Sequence, residues 1–251
     1  MNILNKGVGL ALTLPLVGGL APLTAYADPE PQCFYESRRG VQQECGIYKG
    51  EVSAAKAYLD TVVLYGQFRT NPSERPVILD VRSIQEYKAG HPKNSHNAPY
   101  PYISQDCPTR HPDGACNSSG PRIPQYVPDF VSYVEKIVPN KNTPIYTLCR
   151  TGSRSVGAAN RLTEAGYTNV YNIWEGFVGV NLKAPQEVVD EDGNPVLDDD
   201  GNPVIDDLPV DLNHDGVLDY ADLNGWIHHG GLPYSTLLKS GRIYQPYAAW
   251  Y

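Results

Sequence analysis

The sequence predicts an α/β fold with a parallel sheet covered on both faces. Short continuous apolar runs at Pro76–Val81, Pro144–Leu148 and Asn169–Ile173 read as strands buried on both sides. Helical apolar periods separate them, and strands alternating with helices build a parallel sheet between helical layers.

Taken in order, Val52 to Tyr65 has apolar residues at helical spacing (Val52, Ala55, Leu59, Val62, Val63), with Ser53 as its N-cap. The first strand follows, then a short helix over Ile84 to Ala89. Pro92 to Pro128 is turn-rich. In Asp129 to Val138, Phe130, Tyr133, Val134 and Ile137 fall on one helical face. The second strand ends directly at Cys149, and Ser153 to Ala165 is helical before the third strand.

The chain has 251 residues, 41% of them hydrophobic, enough for one sizeable core. Its recurring apolar periods exclude disorder over most of its length. Gly and Pro are plentiful without period, which excludes collagen, and no heptad pattern is sustained. A net charge of −8 argues against a general nucleic-acid partner. The acid is concentrated. Residues 187–222 hold 13 Asp or Glu and no Lys or Arg, so the remainder is mildly basic. Within that segment Asp192-Gly193-Asn194-Pro195-Val196-Leu197-Asp198 recurs as Asp200-Gly201-Asn202-Pro203-Val204-Ile205-Asp206. Two copies are too few for a solenoid. The segment reads as an acidic, turn-rich insertion, and its two repeats as a flexible acidic hairpin rather than further calcium sites.

Residues 1–27 look like a removable export signal. Lys6 gives a positive start, Gly7 to Leu23 is uncharged and mostly apolar, and Ala25-Tyr26-Ala27 offers a cleavage site before Asp28. The product would be periplasmic or secreted, with no membrane span after cleavage. An oxidising compartment favours disulfides. Four cysteines allow three pairings, and the local pairs Cys33–Cys45 and Cys107–Cys116 are the simplest. Spacings without C-x-x-C argue against zinc. Cys149 is left over, and a free thiol in such a compartment needs a reason.

The surroundings of Cys149 supply one. A buried strand gives way to Arg150-Thr151-Gly152-Ser153-Arg154 and then a helix. Such a turn gathers backbone N–H groups into one concavity, with the positive helix terminus behind it. Gly152 allows the tight path. The amides and two arginines favour the thiolate and can hold an anionic substrate.

Three motifs in order resemble the rhodanese family. They are Leu79-Asp80-Val81-Arg82 with Glu86-Tyr87 and Gly90-His91, then Cys149 to Ser155, then Asn224-Gly225-Trp226 with Gly231-Leu232-Pro233. The resemblance covers about Val52 to Leu182 and resumes at Asn224 to Tyr234. It implies a five-stranded parallel sheet flanked by helices, and a sulfurtransferase with a persulfide on Cys149. Residues 28–50 would be a disulfide-tied extension, 51–182 the rhodanese-like domain, 183–223 the acidic insertion, and 224–251 a C-terminal helix with an aromatic tail.

In chemical terms, Cys149 is the nucleophile, and Arg150, Thr151, Gly152, Ser153 and Arg154 bind the substrate or persulfide. Asp80 and Arg82 pair in support. The partners are a small sulfur anion or persulfide donor and a thiophilic acceptor, including a protein thiol. The loop from Cys149 to Arg154 has six residues, whereas cysteine phosphatases use C-x5-R, so sulfur is favoured over phosphorus. The other readings are a sulfur-carrier module without turnover and a redox protein. The run Pro92 to Pro99 and the Cys107–Cys116 loop depart from the family pattern and would reshape the rim of the site.

Asp211 to Asp222 fits an EF-hand-type calcium loop. Asp211, Asn213, Asp215, Asp219 and Asp222 place side-chain oxygens at positions 1, 3, 5, 9 and 12, and Val217 offers its carbonyl. Gly216 sits at the sharp turn, position 12 is Asp as in dockerin-like loops, and Tyr220 to His229 would form the exiting helix. Calcium would be structural, and no organic cofactor is called for.

Overall fold

The computed structural model describes residues 46–64, 74–104, 109–116, 122–124, 127–228 and 232–244. The expected export signal over residues 1–27, Cys33, Cys45 and Cys107 lie outside these residues.

In chain order come β1 (Gly50–Val52), α1 (Ala54–Tyr58), β2 (Val77–Asp80), α2 (Ile84–Ala89), β3 (His91–Pro92), β4 (His96–Asn97), β5 (Tyr102–Ser104) and β6 (Arg122–Pro124). They are followed by α3 (Val127–Ile137), β7 (Ile145–Leu148), α4 (Ser153–Glu164), β8 (Val170–Ile173), β9 (Lys183–Glu187), β10 (Ile205–Pro209) and β11 (Tyr234–Ser235). Five strands form one sheet in the order β1-β8-β7-β2-β4, and every neighbouring pair is parallel. The outer strands β1 and β4 have three and two residues, too short to show as apolar runs.

Alternation along the central strands explains the layers. Ile145, Leu79 and Val170 pack with Phe130 and Val134 of α3 and with Ala158 and Leu162 of α4. Tyr146, Leu148, Ile78 and Ile173 face the other way, against Ala54 and Ala57 of α1, Phe177 and Trp226. Both faces of β7 are therefore buried, the arrangement expected of a strand fed by crossover helices.

The helix ends follow their caps. Ser53 Oγ accepts from the Lys56 amide, as the sequence suggests. Ser83 and Glu86 make a reciprocal capping box at α2. The predicted apolar face of the first helix needs correction. After five residues α1 loosens into a π-helical turn, Leu59–Val63, which leaves Leu59 and Val63 exposed. Asp60 and Thr61 turn inward instead, and Asp60 accepts from the Tyr146 hydroxyl.

The acidic insertion is more ordered than a flexible hairpin. β9 and β10 pair antiparallel at its base. Above them three valines eight residues apart close a ring of backbone hydrogen bonds: Val196 N–H to Val188 C=O at 2.8 Å, Val204 to Val196 at 2.8 Å, and Val188 to Val204 at 2.9 Å. Each repeat is a tight turn between them. Asp190 Oδ1 accepts from the amides of Asp192 and Asn194, and Asp198 Oδ1 from those of Asp200 and Asn202. The eight-residue repeat thus builds a small three-lobed knot, with the β9–β10 ladder as its third lobe.

Two helix expectations fail. The segment after the acidic loop forms only a three-residue 3₁₀ turn, Tyr220–Asp222: the Asp219–Asp222 capping box starts it, and the chain turns extended at Leu223. Among the described residues of 224–244 there is no α-helix; β11 pairs with β3 and a 3₁₀ turn spans Ser240–Arg242. The aromatic tail beyond residue 244 lies outside the described residues.

Candidate active site

Cys149 follows the carboxyl end of β7, the central strand, and its thiol is free and fully buried. The chain turns at once into α4 through Gly152, whose φ of 87° is left-handed. A Cβ there would stand 1.9 Å from the Trp174 carbonyl oxygen, so only glycine fits. No side chain caps the start of α4. The first N–H groups of a helix have no partner within it, so this terminus offers donors and positive potential to the loop before it.

The loop is held from several directions. The Phe177 amide donates to the Cys149 carbonyl at 2.8 Å, and the amides of Val178 and Gly179 donate to that of Arg150. Ser155 Oγ and Asn172 Nδ2 both donate to the Gly152 carbonyl, at 2.9 and 3.1 Å. Asn172 Nδ2 also reaches Glu51 on β1, whose carboxyl is pushed up by burial against the lowering hydrogen bonds of Tyr48 and Asn172. Gly176 leans on the Arg150 carbonyl so closely that a Cβ would lie 2.6 Å away.

Asp80 and Arg82 brace this segment at one remove. Arg82 Nε lies 3.0 Å from Asp80 Oδ1, and Nη2 lies 2.6 Å from Oδ2, with both side chains fully buried. Arg82 Nη2 also donates to the Gly90 carbonyl at 2.6 Å. The guanidinium stacks over the Phe177 ring at 3.8 Å, and Phe177 is the residue whose amide grips Cys149. The third motif closes the same support. The Trp226 amide donates to the Gly176 carbonyl, and the buried Trp226 ring donates through Nε1 to the Pro233 carbonyl at 3.1 Å.

The two loop arginines have carboxylate partners that the sequence does not announce. Arg150 Nε pairs with Asp113 Oδ2 at 2.7 Å, from the turn between Arg110 and Cys116. Arg154 makes a fork to Glu86 on α2, at 2.8 and 3.2 Å. Burial pushes the Glu86 carboxyl up, but Arg154, Arg82 and the Ser83 amide outweigh it and hold it near 2. Much of the guanidinium charge is thereby neutralised, so the loop amides and the start of α4 carry more of the local positive potential than the sequence suggests. The turn bearing Asp113 joins the rim of the cysteine loop through its pair with Arg150. Cys116 is disulfide-bonded, its partner outside the described residues.

Tyr220, at the end of the acidic segment, also reaches this rim. Its hydroxyl lies near Arg150 and Asp113, and burial followed by the Asp113 charge pushes it up. Its ring meets His228 edge-on at 4.9 Å.

The proposed calcium ligands are arranged differently. Asp211 accepts from the amides of His214 and Gly216, Asn213 from Asp215, Asp215 from Val217, and Asp219 from Ala221. Asp222 is buried and uses both oxygens on the amides of Leu212, Asn213 and Asp219, which hold its carboxyl below the usual range. It staples the two ends of the loop together. Val217 is exposed at the turn. Among the described residues no three His, Cys, Asp or Glu side chains are gathered to hold a metal ion. The set fits calcium only if these carboxylates turn inward.

Residues 64–183 match the family model described as Rhodanese-like domain. The chain is 35% identical over 69 residues to the thiosulfate sulfurtransferase GlpE of Tolumonas auensis, covering 28% of this chain and 57% of that one. It is 48% identical over 54 residues to an uncharacterised protein of Rickettsia conorii, covering 21% of this chain and 44% of that one. The chain thus spans less than two thirds of these relatives. A crystal structure of a protein from M. tuberculosis is 24% identical, covers 76% of this chain and 99% of that one, and superposes with a TM-score of 0.40. A rhodanese with anions from E. coli is 23% identical, covers 39% and 82%, and has a TM-score of 0.26. The family match, the parallel sheet and a cysteine loop at the end of its central strand agree: residues 64–183 of this chain resemble a rhodanese-like domain.

Proposed function

We propose that the protein is an exported sulfurtransferase that moves sulfane sulfur through a persulfide on Cys149. The observation that carries this reading is a free thiol at the carboxyl end of the central strand, followed at once by a left-handed glycine and an uncapped helix start. In the first half-reaction the Cys149 thiolate attacks the outer sulfur of a donor such as thiosulfate. A new S–S bond forms, the donor's S–S bond breaks, and sulfite leaves with the electron pair. In the second, a nucleophile (cyanide, a small thiol or a protein thiol) takes the outer sulfur and the thiolate is restored. The loop amides would stabilise the persulfide anion. Arg150 and Arg154 would meet an anionic donor by exchanging Asp113 or Glu86 for it.

Mass spectrometry after incubation with thiosulfate tests this. A gain of one sulfur atom on Cys149, absent in Cys149→Ser, is the expected result; an unmodified protein overturns the chemistry.

The full burial of Cys149 favours a second reading, a carrier that exchanges sulfur only with a protein able to open the rim. The first reading expects steady-state turnover of thiosulfate and cyanide with parallel double-reciprocal lines. The second expects a stable persulfide and no turnover. A dithiol redox role is disfavoured, since Cys116 is already disulfide-bonded.

Two accessory proposals accompany this reading. One is that Cys107 is the partner of Cys116. The other is that the Asp211–Asp222 loop takes a structural calcium ion, held by Asp211, Asn213, Asp215, Val217 and Asp219, with Asp222 closing the loop. Calorimetry of the full chain would then show calcium binding that Asp211→Ala and Asp215→Ala remove; unchanged heats would rule the loop out.

A further inference from the structure

At the end of the sheet opposite Cys149, beside the amino ends of β2 and β7, lies a cavity of about 160 Å³. Its wall includes Arg75, Val77, Lys93, His96, Thr143 and Arg242. Cys149 lies beyond the far end of β7, whose four residues span roughly 13 Å, so the two places are separate. Every charged side chain among the described lining is basic. A second cavity, of about 290 Å³, adjoins the first through Lys93, Asn94 and Arg242 and adds Lys239, again without a described acid in its wall.

The polar atoms point the same way. His96 Nδ1 is buried with no hydrogen-bond partner, a costly state for a ring nitrogen. Burial, with Arg242 and Arg75 nearby, holds this histidine near 4, so it is neutral at neutral pH and its unused ring nitrogen awaits a polar neighbour. The acid on the adjoining wall, Asp60 next to Thr61, is engaged by Lys56 and the Tyr146 hydroxyl. Arg242 donates through Nη1 to the Asn94 carbonyl and so fixes the β3–β4 turn that frames the mouth. Lys93 is exposed on that turn. The first cavity exceeds the roughly 30 Å³ share of one water but is smaller than the roughly 300 Å³ of the smallest drug-sized pockets.

We propose that this cavity binds a small polyvalent oxyanion, of the sulfate or phosphate class, at a site separate from the cysteine loop. Arg75, Lys93 and Arg242 supply the charge that favours such an ion over water, and His96 supplies a ring nitrogen for one of its oxygens. The site does not depend on the sulfur chemistry proposed for Cys149.

NMR of the histidine side chains of the full chain tests it, with the His96 signals assigned through His96→Gln. Sulfate or phosphate should move these signals saturably, while chloride at matched ionic strength does not. Lys93→Gln, a change at an exposed position that the fold tolerates, should weaken the response about tenfold, the worth of one charge-assisted hydrogen bond. Arg150→Gln should leave it intact. The proposal is overturned if His96 does not respond, responds to ionic strength alone, keeps its affinity in Lys93→Gln, or loses its response in Arg150→Gln.

Discussion

Glu86 illustrates how much one side chain contributes to the cysteine loop. It closes the capping box of α2 and forks to Arg154 in the first turn of α4, tying two crossover helices together above the sheet. Its carboxyl sits near 2, below its ordinary 4.5, so its stabilising effect is complete above about 4.5 and is lost as pH falls towards 2. Glu86→Gln should cost about 2 kcal/mol at neutral pH, since the pair is only partly shielded from water, and should flatten the acid limb of stability. Urea titrations across that window would show it; an unchanged acid limb would mean the charge is not what matters. Glu86 was visible in the sequence as part of a motif, but its role was not. Its partner lies 68 residues away, and Asp113 lies 37 from Arg150. Periodicity and spacing report local geometry, and such long-range pairings leave no local trace.

Elements were legible in proportion to their regularity. The three central strands, α2 and α4 follow from continuous apolar runs and caps that act within a few residues. The inward face of α1 did not, because the π-helical turn rotates Asp60 and Thr61 inward where a regular helix would have turned Leu59. The repeat in the acidic insertion was plain as a repeat, yet its closure was not, since eight-residue periodicity does not reveal that three valines meet. The ring can be opened selectively. Val196→Pro removes the N–H that donates to Val188. Hydrogen exchange at the Val188 and Val204 amides should then quicken about tenfold or more, while the β7 amides keep their protection. Equal loss in both places would mean that the knot and the sheet unfold together.

At the scale of the whole molecule, the sheet organises the chemistry by its ends: the cysteine loop at the carboxyl end of β7, the basic cavity at the amino end. Another buried acid gives the fold a pH dependence of opposite sign to that of Glu86. Burial raises Glu175 from its ordinary 4.5 to about 7, against the lowering bond from the Ala54 amide. A raised carboxyl favours folding most below 4.5, and that advantage declines as pH rises through 7. Glu175→Gln should therefore remove a loss of thermal stability between these values, read as a melting temperature that no longer falls on going from pH 5 to 8. A persistent fall would assign the effect elsewhere. The closed valine ring has a practical consequence beyond stability. From Ala184 to Leu238 the chain contains no Lys or Arg, so trypsin finds no cutting point inside the knot or the loop that follows it. Limited digestion should release this whole stretch as one large fragment, and its mass would report any ion or modification it retains.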